Sequence, residues 1–198
     1  MSITIYEIRY NFDLNGHTVI IPDGCILKFE GGTIINGNLK GNLLNEYLRP
    51  EWFGAKGDGV TDDTIALQTC INYLNVIKLS SKTYITKQLI IPSFKNIIGE
   101  GKNSIIKANP NMPLTNNYLI RTKDGGSGIR ISNLKIVCGN TSNEDDYKIG
   151  GIGLISTANA NNDQWDTRNI IENVEILNCY AASIYIGTYQ RENKIQNC

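Results

Sequence analysis

The chain has 198 residues, enough for one domain of ordinary size or one domain with a small appendage. Lys+Arg and Asp+Glu both number 19, so no net field favours nucleic acid or an anionic membrane, and no cluster of cations offers binding through counterion release. Isoleucine occurs 31 times and asparagine 25 times, against two methionines and four phenylalanines; this usage suits many short strands joined by tight turns and disfavours a helix bundle.

The opening stretch, "MSITIYEIRYNFDLNG", has no basic n-region, apolar h-region or small-residue cleavage site, so no leader peptide is expected. No apolar run approaches the roughly 18 residues needed to span a bilayer, and no membrane insertion is expected. Residues 18–40, "TVIIPDGCILKFEGGTIINGNLK", read as short strands punctuated by Pro-Asp-Gly, Gly-Gly and Asn-Gly. Cys25, Leu27 and Phe29 alternate with Ile26, Lys28 and Glu30, which places the two sets on opposite faces. Residues 1–50 are therefore assigned to an N-terminal β-rich segment, as extra coils or an attachment region. Residues 51–198 form the second unit.

The stretch "WFGAKGDGVTDDT" carries Asp58, Asp62 and Asp63 among glycines and threonines. The one helix is expected over about 62–77, where Ala66, Leu67, Cys70, Ile71, Leu74 and Ile77 form an apolar stripe. Two carboxylates could hold Ca²⁺ or work as an acid/base pair, but adjacent side chains at a helix start diverge and no EF-hand pattern is present. The preferred reading is a helix cap built from Thr61, Asp62 and Asp63. Thr61 or Asp62 is the N-cap, and Asp63 sits in the first turn, where the helix dipole favours negative charge.

From Lys78 onward short apolar runs are again broken by Gly, Asn, Pro or Ser. "ISNLKIVC" (131–138) recurs as "IENVEILNC" (171–179) and begins again as "IQNC" (195–198), while "KNIIG" (95–99) is a weaker copy that aligns Asn96 with Asn133. A unit of about 20 to 25 residues with inserted loops fits this spacing. Each unit reads as one coil of a solenoid whose inward isoleucines stack on those of the next coil. Asparagine at a recurring corner tolerates a left-handed backbone and can hydrogen-bond to the Asn of the neighbouring coil. The polar outer face of the helix suits a lid over the first coil, and the last coil is expected to be incomplete at Cys198. The five cysteines (Cys25, Cys70, Cys138, Cys179, Cys198) fall mostly in apolar patterns; they read as buried reduced thiols and imply folding in a reducing cytoplasm.

"EWFGAKGDGVTDDTIALQTCINYLN", followed by "KTYIT", "LIIPS" and "IIGEGKNSIIK", resembles the start of the pectate-lyase-like right-handed parallel β-helix superfamily. That group includes bacterial polysaccharide lyases, glycosidases and phage tailspike depolymerases. The likeness covers residues 51–107 well and later coils loosely, and "VIIPDGCILKFEGGTI" is similar to rungs of gut-bacterial and phage members. It implies an all-β fold: a short right-handed parallel β-helix with an N-terminal capping α-helix. No Asn-Thr-Asp strand, Gly-His-Gly or Arg-x-Pro-x-x-Arg is present, so no catalytic residue is carried over.

Functional candidates lie instead in the inserted loops "TSNEDDYKIGG" (141–151) and "TANANNDQWDTRN" (157–169). Here Asp145, Asp146, Tyr147, Asp163, Trp165 and Asp166 pair aromatic faces for stacking on a sugar with carboxylates that accept its hydroxyl hydrogen bonds. Tyr180, Tyr185 and Tyr189 read as outward packing, Glu172 and Glu175 as solvent-facing, and His17 as a turn histidine. The resemblance, with the missing leader, unpaired thiols and absent catalytic signature, points to a phage tailspike or tail-fibre protein of the virion. It would be a homotrimer that recognises a bacterial surface polysaccharide and contacts other tail proteins, with no nucleic-acid partner. The alternative is a secreted or cell-surface polysaccharide lyase or glycoside hydrolase. No metal or cofactor is assigned; Ca²⁺ is expected only in a lyase. Replacing Asp62 with Ala is expected to cost about 1 kcal/mol and leave glycan binding intact; lost binding at an unchanged melting temperature contradicts the cap assignment.

Overall fold

A parallel strand that recurs once per coil buries its branched side chains against the same position one coil later. The register of the ladders shows this in the later coils, while the strands of the first coil are largely exposed. The computed structural model describes residues 3–112, 118–139, 149–155, 167–187 and 191–198. Strands β1 (Thr4–Ile8), β2 (Phe12–Asp13) and β3 (Thr18–Ile20) form one coil. Strands β4 (Cys25–Phe29), β5 (Ile34–Ile35) and β6 (Asn38–Lys40) pair with them one for one, all parallel. Thr4 meets Cys25, Phe12 meets Ile34 and Thr18 meets Asn38, offsets of 21, 22 and 20 residues.

The chain continues through a Leu27–Leu43 bridge, a 3₁₀ helix η1 (Pro50–Phe53), strand β7 (Asp58–Asp62) and helix α1 (Thr64–Tyr73). Three strands follow, β8 (Val76–Leu79), β9 (Thr83–Thr86) and β10 (Leu89–Ile91). Over them lie β11 (Asn96–Gly99), β12 (Ile105–Ala108) and β13 (Tyr118–Thr122). In the next coil the first two strands merge into β14 (Arg130–Val137), whose halves pair with β11 and β12. Strand β15 (Gly150–Leu154) then lies on β13. The last coils add β16 (Ile170–Leu177) on β14, β17 (Ile184–Ile186) on β15 and β18 (Lys194–Gln196) on β16. The chain is mostly β, its sheets are parallel, and the stacking is consistent with a parallel β-helix.

Isoleucine fills the inward columns. Ile77, Ile97, Ile131, Ile171 and Ile195 occupy one column in successive coils, the first four of them buried. Tyr84, Ile106, Ile136 and Ile176 form a second column, and Leu89, Ile120, Ile152 and Ile184 a third. Branched side chains lose little rotamer freedom in such a stack, and interdigitation excludes water from it. One contiguous core runs from Ile21 to Val174, through both the N-terminal coils and the later ones. Phe29 stacks on Trp52 at 5.1 Å, and Phe53 lies against Tyr73, so η1 wedges the first coils to the helix.

The expected asparagine corner is present. Asn133, Asn173 and Asn197 all have positive φ, between 52° and 56°. Asn173 donates to Asn133 Oδ1 at 3.0 Å, and Asn197 donates to Asn173 Oδ1 at 3.1 Å. The alignment of Asn96 with this corner is corrected: Asn96 pairs with Arg130, and the position before Asn133 is Gly99. A Cβ at Gly99 would stand 2.2 Å from the Asn133 carbonyl oxygen, so close backbone approach requires glycine there.

Helix α1 is shorter than the apolar stripe predicted. It ends at Tyr73, and Leu74 is already extended. Val76 and Ile77 belong to β8, because Ile77 buries more completely in the isoleucine column than on a helix face. The Lys95 ammonium donates to the Leu74 carbonyl at 3.0 Å and reaches Asn75 Oδ1 at 3.3 Å, placing a cation at the helix C-terminus. Gln68 clips the free edge of β10: its side chain donates to Ile90 O and accepts from Ile90 N. The reading of all cysteines as unpaired thiols is also corrected. Cys138 and Cys179 are joined by a disulfide, because they fall just past the paired ends of β14 and β16, with Cα atoms 5.1 Å apart. Cys25, Cys70 and Cys198 are free.

The Asn173 side chain holds its neighbours on both sides and its backbone is left-handed. Asn173→Ala is expected to lose about 1–2 kcal/mol in urea unfolding; Asn173→Gly should recover the backbone part. Equal losses for the two variants contradict a strained corner.

Candidate functional site

The acidic motif resolves into separate, committed carboxylates. Asp58 folds back on its own turn and accepts from Thr61 N, Val60 N and the Thr61 hydroxyl. These bonds, led by the Thr61 N–H, hold its carboxyl down at about 2. The structure places the N-cap at Asp63, one or two positions later than the sequence predicts, and its side chain makes no cap bond. Asp63 is buried, and its two oxygens take the backbone N–H groups of Lys56 at 2.7 Å and Gly57 at 3.0 Å. Burial pushes its carboxyl up, against the pull of these two donors. Asp62 supplies the bond to the first turn, accepting from Thr64 N at 3.0 Å, and it also holds Asn109 and faces Lys87. Burial pushes Asp62 up, but Thr64, Lys87 and Asn109 together hold it below the ordinary carboxylate range. Thr61 serves Asp58, not the helix.

Beside this motif an open cleft of about 640 Å³ runs between the N-terminal coils and α1, lined by Ile35, Glu51, Lys56, Asp63, Ile65 and Lys82 among others. Glu51 Oε1 accepts from the Tyr84 hydroxyl at 2.8 Å and stands 3.6 Å from Lys82 Nζ. Burial, and then the Glu51 charge, raise the Tyr84 phenol. Glu51 Oε2 is buried with no hydrogen-bond partner. The carboxylates here hold a turn, a helix start and a buried phenol, and Glu51 Oε2 is the one oxygen among them buried without a partner. Among the described residues no group of His, Cys, Asp and Glu could hold a metal ion.

The outer face of β10, β13, β15 and β17 has a different composition. Ile90, Arg121, Gly153 and Tyr185 occupy one register row across it. The Tyr118 ring lies flat over β15, where a Cβ at Gly150 or at Gly153 would stand 2.6 Å from it. Neither glycine has a positive φ, so both serve close approach and not an unusual backbone. Tyr185 stacks on Tyr118 with centroids 5.5 Å apart and an interplanar angle of 19°. Gln88 anchors the strand beneath by donating to Tyr118 O at 2.9 Å. The result is a two-ring platform on a glycine floor, with Tyr185 43% exposed. An exposed aromatic platform on a rigid sheet suits stacking against the apolar face of a sugar ring.

The candidate residues Asp145, Asp146, Tyr147, Asp163, Trp165 and Asp166 lie outside the described residues. Glu172 is nearly covered and pairs with Arg130 and Gln196, and Glu175 pairs with Lys135 at 3.3 Å. His17 is exposed in a turn before β3. Sequence reading missed Tyr118 and Arg121 and took Tyr185 for packing. The available signal was "GGIGL", three glycines in a strand-like run where stacking coils otherwise demand side chains.

Residues 51–143 match the family model described as rhamnogalacturonase A/epimerase, pectate lyase-like. This supports the likeness read from residues 51–107: the segment matched by the family model is pectate-lyase-like. A capsule K30/K69-specific depolymerase of Klebsiella phage K64-1 is 29% identical over 180 residues, covering 86% of this chain and 19% of the relative. Depolymerase 1, also capsule K30/K69-specific, of Klebsiella phage K5-2, is 45% identical over 76 residues, 37% of this chain and 9% of the relative. The chain thus spans less than a fifth of the length of either relative. No solved structure matches it.

Gly153→Ala is expected to displace the Tyr118 ring and cost about 1–3 kcal/mol by overpacking, with loss of the near-ultraviolet tyrosine signal. An unchanged signal and midpoint contradict the glycine-floor geometry.

Proposed function

We infer that this chain is part of a phage tailspike-type protein that recognises bacterial capsular polysaccharide. The observation that carries the reading is the Tyr118–Tyr185 platform on a rigid parallel sheet, in a chain similar to two capsule-specific depolymerases. The coils wind right-handed, as parallel β crossovers do in about 98% of cases. Helix α1 covers the apolar interior beside β8, β9 and β10 as a cap, with Ala66, Leu67, Cys70 and Ile71 buried beneath it. Residues 1–50 add two coils ahead of the family-matched region. The stretches holding Asp145, Asp146 and Tyr147, and Asp163, Trp165 and Asp166, precede and follow β15 in the chain, which is why they are assigned to the same binding role. The assembled protein is a homotrimer in the phage tail, attached to other tail proteins.

The relatives' description as depolymerases favours a second reading, cleavage of the bound polymer by the whole protein. Its acid/base groups are not found among the described residues of the platform, so binding is the part assigned to this chain.

Isothermal titration of purified K30 and K69 capsular polysaccharides, with sizing of the products, tests the proposal. The chain is expected to bind at least one polymer, and Tyr185→Ala is expected to weaken that binding by about 3- to 10-fold, the worth of one aromatic stacking contact. Absence of binding to either, or an unaffected Tyr185→Ala variant, contradicts this placement.

A further inference from the structure

Arg121 stands beside the platform with its hydrogen-bonding capacity unspent. Its register neighbours on the row are Ile90 and Gly153, neither of which has a side-chain acceptor. Its Nε–H is covered from solvent and has no partner, and among the described residues no hydrogen bond or ion pair holds the guanidinium. This is unlike its counterparts: Arg49 bonds Ser80 and Glu100, and Arg130 pairs with Glu172. A half-buried guanidinium normally secures a carboxylate or carbonyl, because leaving its donors unmet is costly. The backbone ladder sets Arg121 on the row, between Ile90 and the glycine floor that carries the Tyr118 ring.

The row therefore runs from a cation, over a ring lying on glycine, to an exposed ring. A sugar stacked on Tyr185 and Tyr118 would bring a substituent on one ring edge to Arg121. The planar fork of an arginine matches a carboxylate in bidentate fashion and discriminates it from a neutral hydroxymethyl group. We propose that Arg121 is the specificity-determining residue of this face, selecting sugars that carry a carboxylate, as in a uronic acid or a pyruvate ketal. The proposal rests on the glycan-binding reading of the same face and names the unit it takes.

The test uses the full chain and the capsular polysaccharide that binds it, native and after chemical reduction of its carboxylates to alcohols. Wild type is expected to lose affinity by about 10-fold or more on reduction of the polymer. Arg121→Gln should bind native polymer as weakly as wild type binds the reduced one, and should not distinguish the two. Arg121→Lys should recover part of the discrimination, and Tyr185→Ala should weaken binding to both polymers alike. Thermal midpoints establish that the variants fold; if Arg121→Gln does not, the discrimination ratio of Arg121→Lys decides, and a ratio equal to wild type overturns the assignment. Wild-type affinity unchanged by carboxylate reduction, or an Arg121→Gln variant that still discriminates, overturns the role of Arg121 and leaves glycan binding standing. No wild-type binding to native polymer overturns both.

Discussion

In-register stacking of parallel coils is the constraint on which the rest of this molecule depends. Once Ile97 must lie between Ile77 and Ile131, every residue of those coils has its inward or outward sense fixed, because strand side chains alternate. Where coils bend, the backbone must turn sharply without leaving the ladder. Asn133, Asn173 and Asn197 do this in the left-handed region and hydrogen-bond to one another. Gly99 takes the same corner where the neighbouring carbonyl leaves no room for a side chain.

A rigid inward stack leaves the outward positions free to carry function. The outer row of Ile90, Arg121, Gly153 and Tyr185 is set by the same ladder as the inward column of Leu89, Ile120, Ile152 and Ile184. Glycines at 150 and 153 sacrifice side-chain packing on that face, and the Tyr118 ring occupies the space. The acidic stretch near α1 is spent on structure. Asp63 ties the 56–57 turn to the helix start, Asp58 closes its own turn, and Asp62 joins the first turn to Asn109.

The solenoid was legible in the sequence because its signals are periodic. Repeated Ile-x-Asn segments carry both the column and the corner, and the stripe of Ala66, Leu67, Cys70 and Ile71 marks the helix. Boundaries were less legible. Leu74 to Ile77 continue the helical period, yet Ile77 is claimed by a column built from residues up to 118 positions away, a tertiary effect invisible to local pattern. Cys138 and Cys179 look like two apolar strand residues until the 40-residue offset of their coils brings them together. The platform was hidden for the same reason. Tyr118, Gly150, Gly153 and Tyr185 are spread over 67 positions, and only the register of three strands makes them one surface.

Hydroxyl-radical footprinting, with and without oligosaccharides from K30 or K69 capsule, tests most directly whether this outer row is the glycan-binding surface. Protection of Tyr118 and Tyr185 is expected on binding, with Val60 in β7 and Ile65 in the first turn of α1, both 84% exposed, unchanged. Protection confined to Ile65 and the neighbouring cleft, with both tyrosines as reactive as before, would contradict it.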